Sequence, residues 1–403
     1  MSATRSDIRS QRLLTRLASC LHEAGAPAHR VEASFAAACS GLDVVGELFA
    51  TPTSLTLTFG CEDQQTVRFV RVAPDGFDLS RLGALYSLAD SVAGGSVGLD
   101  DLDQALQEIL AAEAPFGADV ELASWALVAA STAIFLGGGP AEMAAALCGG
   151  AAVGALDRLV TRKPRLAPLF EPVAAAFAAA IAALLVPALG GGAVIAATTS
   201  ALIVLVPGFT LTVAMTEVAT GHLASGTSRI TQALATLVSL GFGAALGLAA
   251  VQQPLPVEVV QRAPAWLEWP ALLLGALTFG VHFRVPARDL FWVVLAGVGA
   301  YHAALLGSWL LGPELGAFPA AALVAGGAHL FGRCTGRPPA LVQVPGIMML
   351  VPGSVGFRSM ATMSGDVMGG VHTAFSMVMI AAALVAGLLA ANVVLAAPVA
   401  KHS

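Results

Sequence analysis

Leu205-Val206-Pro207-Gly208 and Leu350-Val351-Pro352-Gly353 decide the fold, because each stretch lies inside a long apolar segment of the chain. Proline lacks a backbone N–H and clashes with the preceding helical turn, and glycine readily leaves helical geometry. A helix interrupted inside a membrane exposes N–H and C=O groups that lipid cannot satisfy. Those groups must face protein, water or a ligand, so each stretch predicts a broken membrane helix at a candidate site.

The two stretches belong to an internal repeat. The glycines that follow recur at similar spacing, Gly221, Gly226 and Gly243 as Gly365, Gly370 and Gly387. We therefore predict two halves of five helices each. Because five is an odd number, the two halves would have opposite orientations in the membrane. Inverted repeats with helices interrupted at corresponding positions are typical of the substrate site of secondary transporters. Simple kinks are the alternative, because proline and glycine are common in membrane helices.

The composition is that of a membrane protein that begins with a soluble part. Charged residues make up 11% of the chain and hydrophobic residues 57%, whereas soluble domains carry about 25% charged residues. The mean hydropathy is +0.79. Residues 1–121 hold 17 acidic and 8 basic residues, whereas residues 122–403 hold 9 and 12. We predict an α-helical integral membrane protein with an N-terminal cytoplasmic α+β domain (1–120), a first membrane half (121–255) and a second (256–403).

Ten apolar segments approach the roughly 20 residues that a membrane-spanning helix needs. They are Leu122–Gly139, Glu142–Leu159, Pro168–Leu189, Gly192–Val218, Ile230–Val251, Trp266–Phe283, Asp289–Leu311, Gly316–Phe331, Pro339–Met363 and Val371–Ala397. If the N-terminus is inside, ten of the basic residues between positions 122 and 403 lie on the inner side of the membrane, and Arg262 and Arg358 lie on the outer side. Inner loops are enriched in Lys and Arg, so this distribution favours ten helices arranged as a 5+5 inverted repeat, with both termini cytoplasmic.

The first 120 residues predict four helices and two strands. Apolar spacing favours helices over Ser6–Glu23, from Pro27 to Cys39, near Leu79–Ala93 and near Asp100–Glu113. Alternating apolar residues predict strands over Thr53–Gly60 and Thr66–Val72. His29, Arg30 and Glu32 form a polar cluster in the second helix. The simplest interpretation is an exposed helix face with contacts between residues three apart, and a regulatory or gating role is the alternative.

Residues beside the breaks are the candidate substrate contacts. The predicted substrate-binding residues are Pro207, Gly208, Thr210, Thr212, Pro345, Gly346, Pro352, Gly353, Ser354 and Arg358. The N-terminus of a half-helix favours a carboxylate and freed carbonyls favour an ammonium group, which suits a zwitterionic amino acid. As alternatives, Thr210 and Thr212 can bond back to their own helix, and Arg358 can extend its charge to the membrane interface.

Glu217, Asp366 and His372 are the candidates for proton coupling. An acid inside a membrane segment indicates function by default, although Glu217 lies near the inner end of its segment and can equally be interfacial. Histidine relays protons near neutral pH, and a satisfied contact between helices is the alternative for His372. The sequence holds no phosphate-loop, dinucleotide or metal motif, so we expect no cofactor, no metal and no enzymatic activity. The energy would come from an ion or substrate gradient.

Three stretches of the chain resemble the threonine/serine exporter family. The first is Gly25-Ala-Pro-Ala-His-Arg-Val-Glu32, followed by Pro52-Thr53. The second runs from Val206-Pro207-Gly208 through Gly221-His222 and Ser225-Gly226 to Arg229, and the third is Leu350-Val351-Pro352-Gly353. The resemblance implies proton-driven antiport that exports threonine and serine across a bacterial inner membrane. It implies that the partners are an amino-acid substrate, protons and membrane lipids, and that nucleic acid is not a partner. Whether the chain forms a homo-oligomer stays open.

One departure from the family pattern leaves the substrate open. The family often has an Asn and, four residues later, an Asp after the first Pro-Gly, where this chain has Val213 and Glu217. Export of a dicarboxylate or another organic acid is the second hypothesis, in which Arg229 and Arg358 would bind the anion. A membrane scaffold or sensor that transports nothing is the third, although ten spans with matched breaks exceed what an anchor needs.

Overall fold

The computed structural model describes residues 5–60, 65–73, 76–252, 263–350, 355, 357 and 367–395. The N-terminal part of the chain contains four helices and a small sheet. The helices are α1 (Arg5–Glu23), α2 (Ala28–Gly41), α3 (Leu79–Ala93) and α4 (Leu99–Ala111), and the strands are β1 (Gly46–Thr51), β2 (Ser54–Phe59) and β3 (Thr66–Arg71). The predicted helices and two strands are confirmed, and β1 is an additional strand. The loop between β2 and β3, predicted at residues 61–65, falls largely outside the described residues.

The sheet is antiparallel with the order β1-β2-β3. The central strand β2 alternates, so that Leu55, Leu57 and Phe59 are buried while Ser54, Thr56 and Thr58 lie on the opposite, partly exposed face. The buried face packs with α1, α2 and α3 in one apolar core. The alternation in the sequence thus reflects a sheet that is covered by helices on one side.

Eleven further helices are described after residue 111. They are α5 (Ala118–Phe135), α6 (Pro140–Arg162), α7 (Phe170–Ala188), α8 (Val194–Ala201), α9 (Gly208–Ala219), α10 (Leu223–Val251), α11 (Glu268–His282), α12 (Leu290–Leu311), α13 (Ala317–Thr335), α14 (Ala340–Met348) and α15 (Val367–Leu395). Among the described residues, six helical segments are long and apolar enough to cross a membrane. The chain is therefore a mostly helical integral membrane protein.

The apolar segment 192–218 is interrupted in the structure, as the first Pro-Gly predicts. Helix α8 ends at Ala201, residues 202–207 form turns, and α9 begins at Gly208 with Pro207 at its N-cap. In the second half, α14 ends at Met348 and contains Pro345. The second Pro-Gly, Pro352-Gly353, lies outside the described residues.

The N-terminal part packs on one face of the helical bundle. The Leu79 N–H donates to the Phe283 carbonyl at 3.0 Å, and the Phe77 ring lies 4.7 Å from the Phe209 ring, centroid to centroid. The Arg284 guanidinium contacts Asp78 at 3.3 Å. These contacts join the N-terminal part to α9 and to the loop between α11 and α12. The charge pattern of the sequence predicts that Arg284 of this loop lies on the inner side of the membrane.

Small residues allow the membrane helices to pack closely. Helix α7 presents a buried face that is mostly alanine, and α10 faces it with glycine. A Cβ at Gly247 would lie 2.2 Å from the Ala176 carbonyl oxygen, a distance that real Cβ contacts do not reach. Close backbone approach of this kind is how helices associate in lipid, where hydrophobicity gives no preference for another helix.

Gly247→Ala is expected to destabilise the bundle, because the methyl group must push α10 away from α7. Overpacking of this kind costs about 1–3 kcal/mol. Gly327→Ala is the matched control, since nothing lies within 4 Å of a Cβ at that position of α13. Thermal unfolding in detergent micelles measures both. A melting temperature of Gly247→Ala equal to that of Gly327→Ala would contradict the tight contact.

Candidate functional site

A buried polar region lies where the N-terminus of α2 meets α9 and α10. Helices α9 and α10 are joined by a tight reversal at Thr220–His222. Gly221 adopts a positive φ of 87°, which glycine tolerates without the strain that a side chain would bring. The His222 N–H donates to the Glu217 carbonyl at 2.8 Å and closes the turn. This reversal brings Arg229 of α10 back beside the C-terminal turn of α9.

Glu217 is fully buried and has partners from two parts of the chain. Its carboxylate accepts from Arg229 Nε at 3.2 Å (Oε1) and 3.0 Å (Oε2). Oε1 also accepts from the backbone N–H of Ala28 at 3.0 Å. Ala28 is the first residue of α2, where the helix dipole places partial positive charge. A cation and a helix N-terminus therefore both stabilise this buried acid.

A second contact joins the same helices. His222 Nε2 lies 3.1 Å from Glu32 Oε2, and the rings of His29 and His222 have centroids 5.9 Å apart. Glu32 also accepts from the Ala50 N–H through Oε1 at 2.9 Å. The exposed-face interpretation is therefore wrong for His29 and Glu32, because packing against α10 covers them. Arg30 alone of this cluster is exposed, with its guanidinium carbon 5.1 Å from the Tyr86 ring centroid.

The predicted residues at the first break lie around the start of α9. Pro207 and Gly208 are buried, and Thr210 is partly buried. Thr212 Oγ1 donates to the Gly208 carbonyl at 3.1 Å, so this hydroxyl bonds back to its own helix. Helix α9 lies beside α14 and α15, with Cα atoms within 8 Å. The first break therefore faces the second half of the chain, as a site between the halves requires.

The predicted residues of the second half fall into three groups. Pro345 and Gly346 are buried in α14, where a Cβ on Gly346 would lie 2.9 Å from Val324 Cγ1. Close packing against α13 thus accounts for this glycine, and its role in substrate binding remains a prediction. His372 is exposed on α15. The remaining predicted residues lie outside the described part of the chain, namely Pro352, Gly353, Ser354, Arg358 and Asp366.

Burial changes the protonation of two histidines near the contact. The pKa of His29 is lowered from 6.5 to about 4, first by burial and then by the neighbouring His222, Arg30 and Arg229. Burial also lowers the pKa of His22, although its hydrogen bond to the Pro52 carbonyl acts the other way. Both rings are neutral at pH 7, so the contact between α2 and α10 forms without extra positive charge beside Arg229.

Acidification is expected to loosen α2 from α10. Between pH 6.5 and about 4, His29 binds fewer protons when α2 is docked against α10 than when α2 is undocked. Docking is therefore complete above this window and weakens as the pH falls through it, by at most about tenfold per pH unit for one proton. Hydrogen–deuterium exchange of α2, corrected for the intrinsic pH dependence of exchange, measures the change between pH 7.5 and 5.

His29→Asn is expected to reduce this pH response, because the substituted side chain does not titrate. His372→Asn is the control, since His372 is exposed on α15, and it should respond like the wild type. An unchanged pH response in His29→Asn would assign the effect to another group and contradict the prediction.

Comparisons with known proteins agree with the resemblance of the motifs. A family model described as "Putative threonine/serine exporter" matches residues 12–251, and another described as "Threonine/Serine exporter, ThrE" matches residues 270–394. The two matches span the N-terminal part, the contact around Glu217 and most of the remaining helices. No solved structure matches the chain.

Several curated relatives are about a quarter identical to the chain. The "Threonine/serine exporter" of Corynebacterium glutamicum is 26% identical over 342 residues, which are 81% of this chain and 68% of that protein. The "Probable threonine/serine exporter" of Mycobacterium tuberculosis is 26% identical over 70% of this chain and 56% of its own length. "Pheromone-regulated membrane protein 10" of Kluyveromyces lactis is 26% identical over 60% of this chain, a region that spans 26% of that protein. With both family models matched, the chain belongs to the threonine/serine exporter family.

Proposed function

We propose that this chain exports threonine, serine or a similar small polar amino acid from the cytoplasm by alternating access, in exchange for protons. The observation that carries the proposal is the interruption between α8 and α9, beside the second half of the chain. A structural anchor has no need of an interrupted helix, whereas a transporter uses the freed backbone groups to bind substrate. The substrate would lie between the two Pro-Gly breaks, near Gly208, Thr210 and Gly353.

Matched elements support two related halves. Helices α8 and α14 have 8 and 9 residues. In the first half, Glu142 accepts from the N–H groups of Gly192 and Ala193, both at 3.1 Å. In the second half, Asp289 pairs with Arg337, which is 145 positions after Gly192. An acid near the start of the second helix thus contacts the start of the fourth in both halves, which supports a 5+5 repeat of ten spans.

The inner side of the membrane is assigned to the face that carries the N-terminal part. Arg284 contacts Asp78 there, and Leu341, at the start of α14, packs beside Gly83 of α3. Arg229 lies on this face as well, because it pairs with Glu217, which accepts from the Ala28 N–H of the N-terminal part. Basic loops favour the cytoplasm, so both termini would be cytoplasmic in a bacterial inner membrane.

The charges around Glu217 disfavour the dicarboxylate hypothesis, in which Arg229 would bind the anion. Arg229 is already paired with Glu217, so a dicarboxylate would meet a neutralised guanidinium. Glu217 is a candidate for the coupling proton, and Asp366 and His372 remain candidates further along the chain.

Vesicles loaded with labelled threonine are expected to release it when the purified chain is present and a proton gradient is imposed. Unlabelled serine inside the vesicles should slow this release by competition. An excess of unlabelled succinate, a dicarboxylate, should leave the rate unchanged. Inhibition by succinate but not by serine would instead favour the export of organic acids.

Glu217→Gln is expected to abolish the acceleration of efflux by the proton gradient, because the amide cannot exchange a proton. Asp366→Asn in the same assay tests the second candidate. Gly327→Ala serves as the control for expression and insertion, since its position is open. Gradient-driven efflux at the wild-type rate from the double variant Glu217→Gln, Asp366→Asn would exclude both acids as proton carriers.

A further inference from the structure

Three polar residues lie at and near the start of α10, opposite the start of α2. Ser225 and Arg229 are four residues apart in α10, which places them on the same side of the helix, and His222 is the N-cap residue. His222 contacts Glu32 of α2 at 3.1 Å, and Arg229 contacts Glu217 at 3.0 Å. Ser225 lies between these two contacts along the helix. The region therefore combines the Ser225 hydroxyl and the Arg229 guanidinium of α10 with the buried Glu217 carboxylate of α9.

Two buried polar atoms of this region lack a hydrogen-bond partner. Ser225 is only 1% exposed, and neither its Oγ nor the Nδ1 of His29 has a partner. A buried polar group left unsatisfied costs about 1–3 kcal/mol. Most buried polar groups in proteins are satisfied, so these two atoms indicate a place that accommodates another polar group.

Glu217, Arg229 and Ser225 carry groups that are complementary to those of an α-amino acid with a hydroxyl group. Its ammonium group needs an acid, its carboxylate needs a cation, and a hydroxyl on its side chain needs a small polar partner. We propose that Glu217, Arg229 and Ser225 form a second binding site for the amino-acid zwitterion at the inner end of α9, and that the N-terminus of α2 occupies the ammonium position in this structure. The proposal rests on the proposed function and names a site distinct from the Pro-Gly breaks.

The N-terminus of α2 is a chemical substitute for an ammonium group. The Ala28 N–H donates to Glu217 Oε1 at 3.0 Å, as an ammonium hydrogen would, and the helix dipole adds partial positive charge. Substrate and α2 therefore compete for one carboxylate. While α2 is docked, its N–H occupies the ammonium position, so the measured affinity for an amino acid is lowered by the fraction of molecules in the docked state.

Ala28→Pro removes the competing donor and is compatible with the helical geometry of α2. Proline is favoured at the first position of a helix, where its missing N–H has no partner within the helix. The preceding residue, Pro27, has φ −62° and ψ 149°, a conformation that a residue before proline readily adopts. Proline also places a carbon where the N–H met Glu217, which further disfavours docking.

Binding of labelled L-threonine to the full chain in lipid nanodiscs at pH 7.5 tests the proposal. Ala28→Pro is expected to bind threonine several-fold more tightly than the wild type, and Ala36→Ser, on the exposed side of α2, should bind like the wild type. Glu217→Gln and Arg229→Gln should each lose tenfold or more in affinity. Ser225→Ala should weaken threonine but not 2-aminobutyrate, which lacks the hydroxyl group.

The analogue 3-hydroxybutyrate isolates the competition, because it lacks the ammonium group. Its binding should not improve in Ala28→Pro. Unchanged threonine affinity in Ala28→Pro, with a wild-type melting temperature and normal threonine efflux, would overturn the proposal and leave the proposed function intact. A wild-type chain that exports no threonine would instead overturn the proposed function.

A second variant covers the case in which Ala28→Pro does not fold. His222→Ala removes the contact to Glu32 and loosens α2 without touching Glu217. It is expected to raise threonine affinity in the same direction as Ala28→Pro. Unchanged or weaker binding by a folded His222→Ala would count against competition by α2.

Discussion

Glu217 is a carboxylate with no exposure to solvent, and the fold around it is organised to satisfy that charge. An isolated ion inside a protein costs several kcal/mol, so the acid must keep its partners. Arg229 lies 12 residues further along the chain and Ala28 lies 189 residues before it. The same carboxylate therefore fixes how α10 returns along α9 and where the N-terminal part contacts the membrane helices.

The hydroxyl groups of the short helices contribute less to ligand binding than their number suggests. Thr198, Thr199 and Ser200 of α8 donate to carbonyls four residues earlier in their own helix, and Thr212 and Thr216 of α9 do the same. These bonds let hydroxyl groups sit in an apolar helix. The buried polar groups near Glu217 remain for a ligand, whereas the N–H groups of Leu202, Ile203, Leu205, Val206 and Gly208 already donate to nearby carbonyls.

Local pattern predicted much of the fold, and it could not predict the contact at Glu217. The periodicity of α1 and α3 and the Pro-Gly interruption are local features, and the structure has them where the sequence indicates. Strand β1 was not predicted, because its residues include Gly46 and the exposed Glu47 and Phe49, and pairing with β2 gives it order. The Ala28 contact joins positions 189 residues apart. No periodicity predicts such a pair, although Ala28 lies in a motif that carries the family resemblance and Glu217 stands where the family often has an Asp.

Two polar ties close the same face of the bundle in this structure. Arg284, between α11 and α12, contacts Glu121 of α5 at 2.8 Å and Asp78 of the N-terminal part at 3.3 Å. Glu217 of α9 holds Ala28. The first tie joins elements from both halves of the chain, and the second joins α9 to the N-terminal part. If the halves move against each other during transport, Arg284 must leave Glu121 when this face opens. The N-terminal part then follows one half, and its α2 is held to the other by the Ala28 N–H on Glu217 and by the Glu32–His222 contact. Release at α2 therefore breaks one backbone hydrogen bond and one contact between side chains.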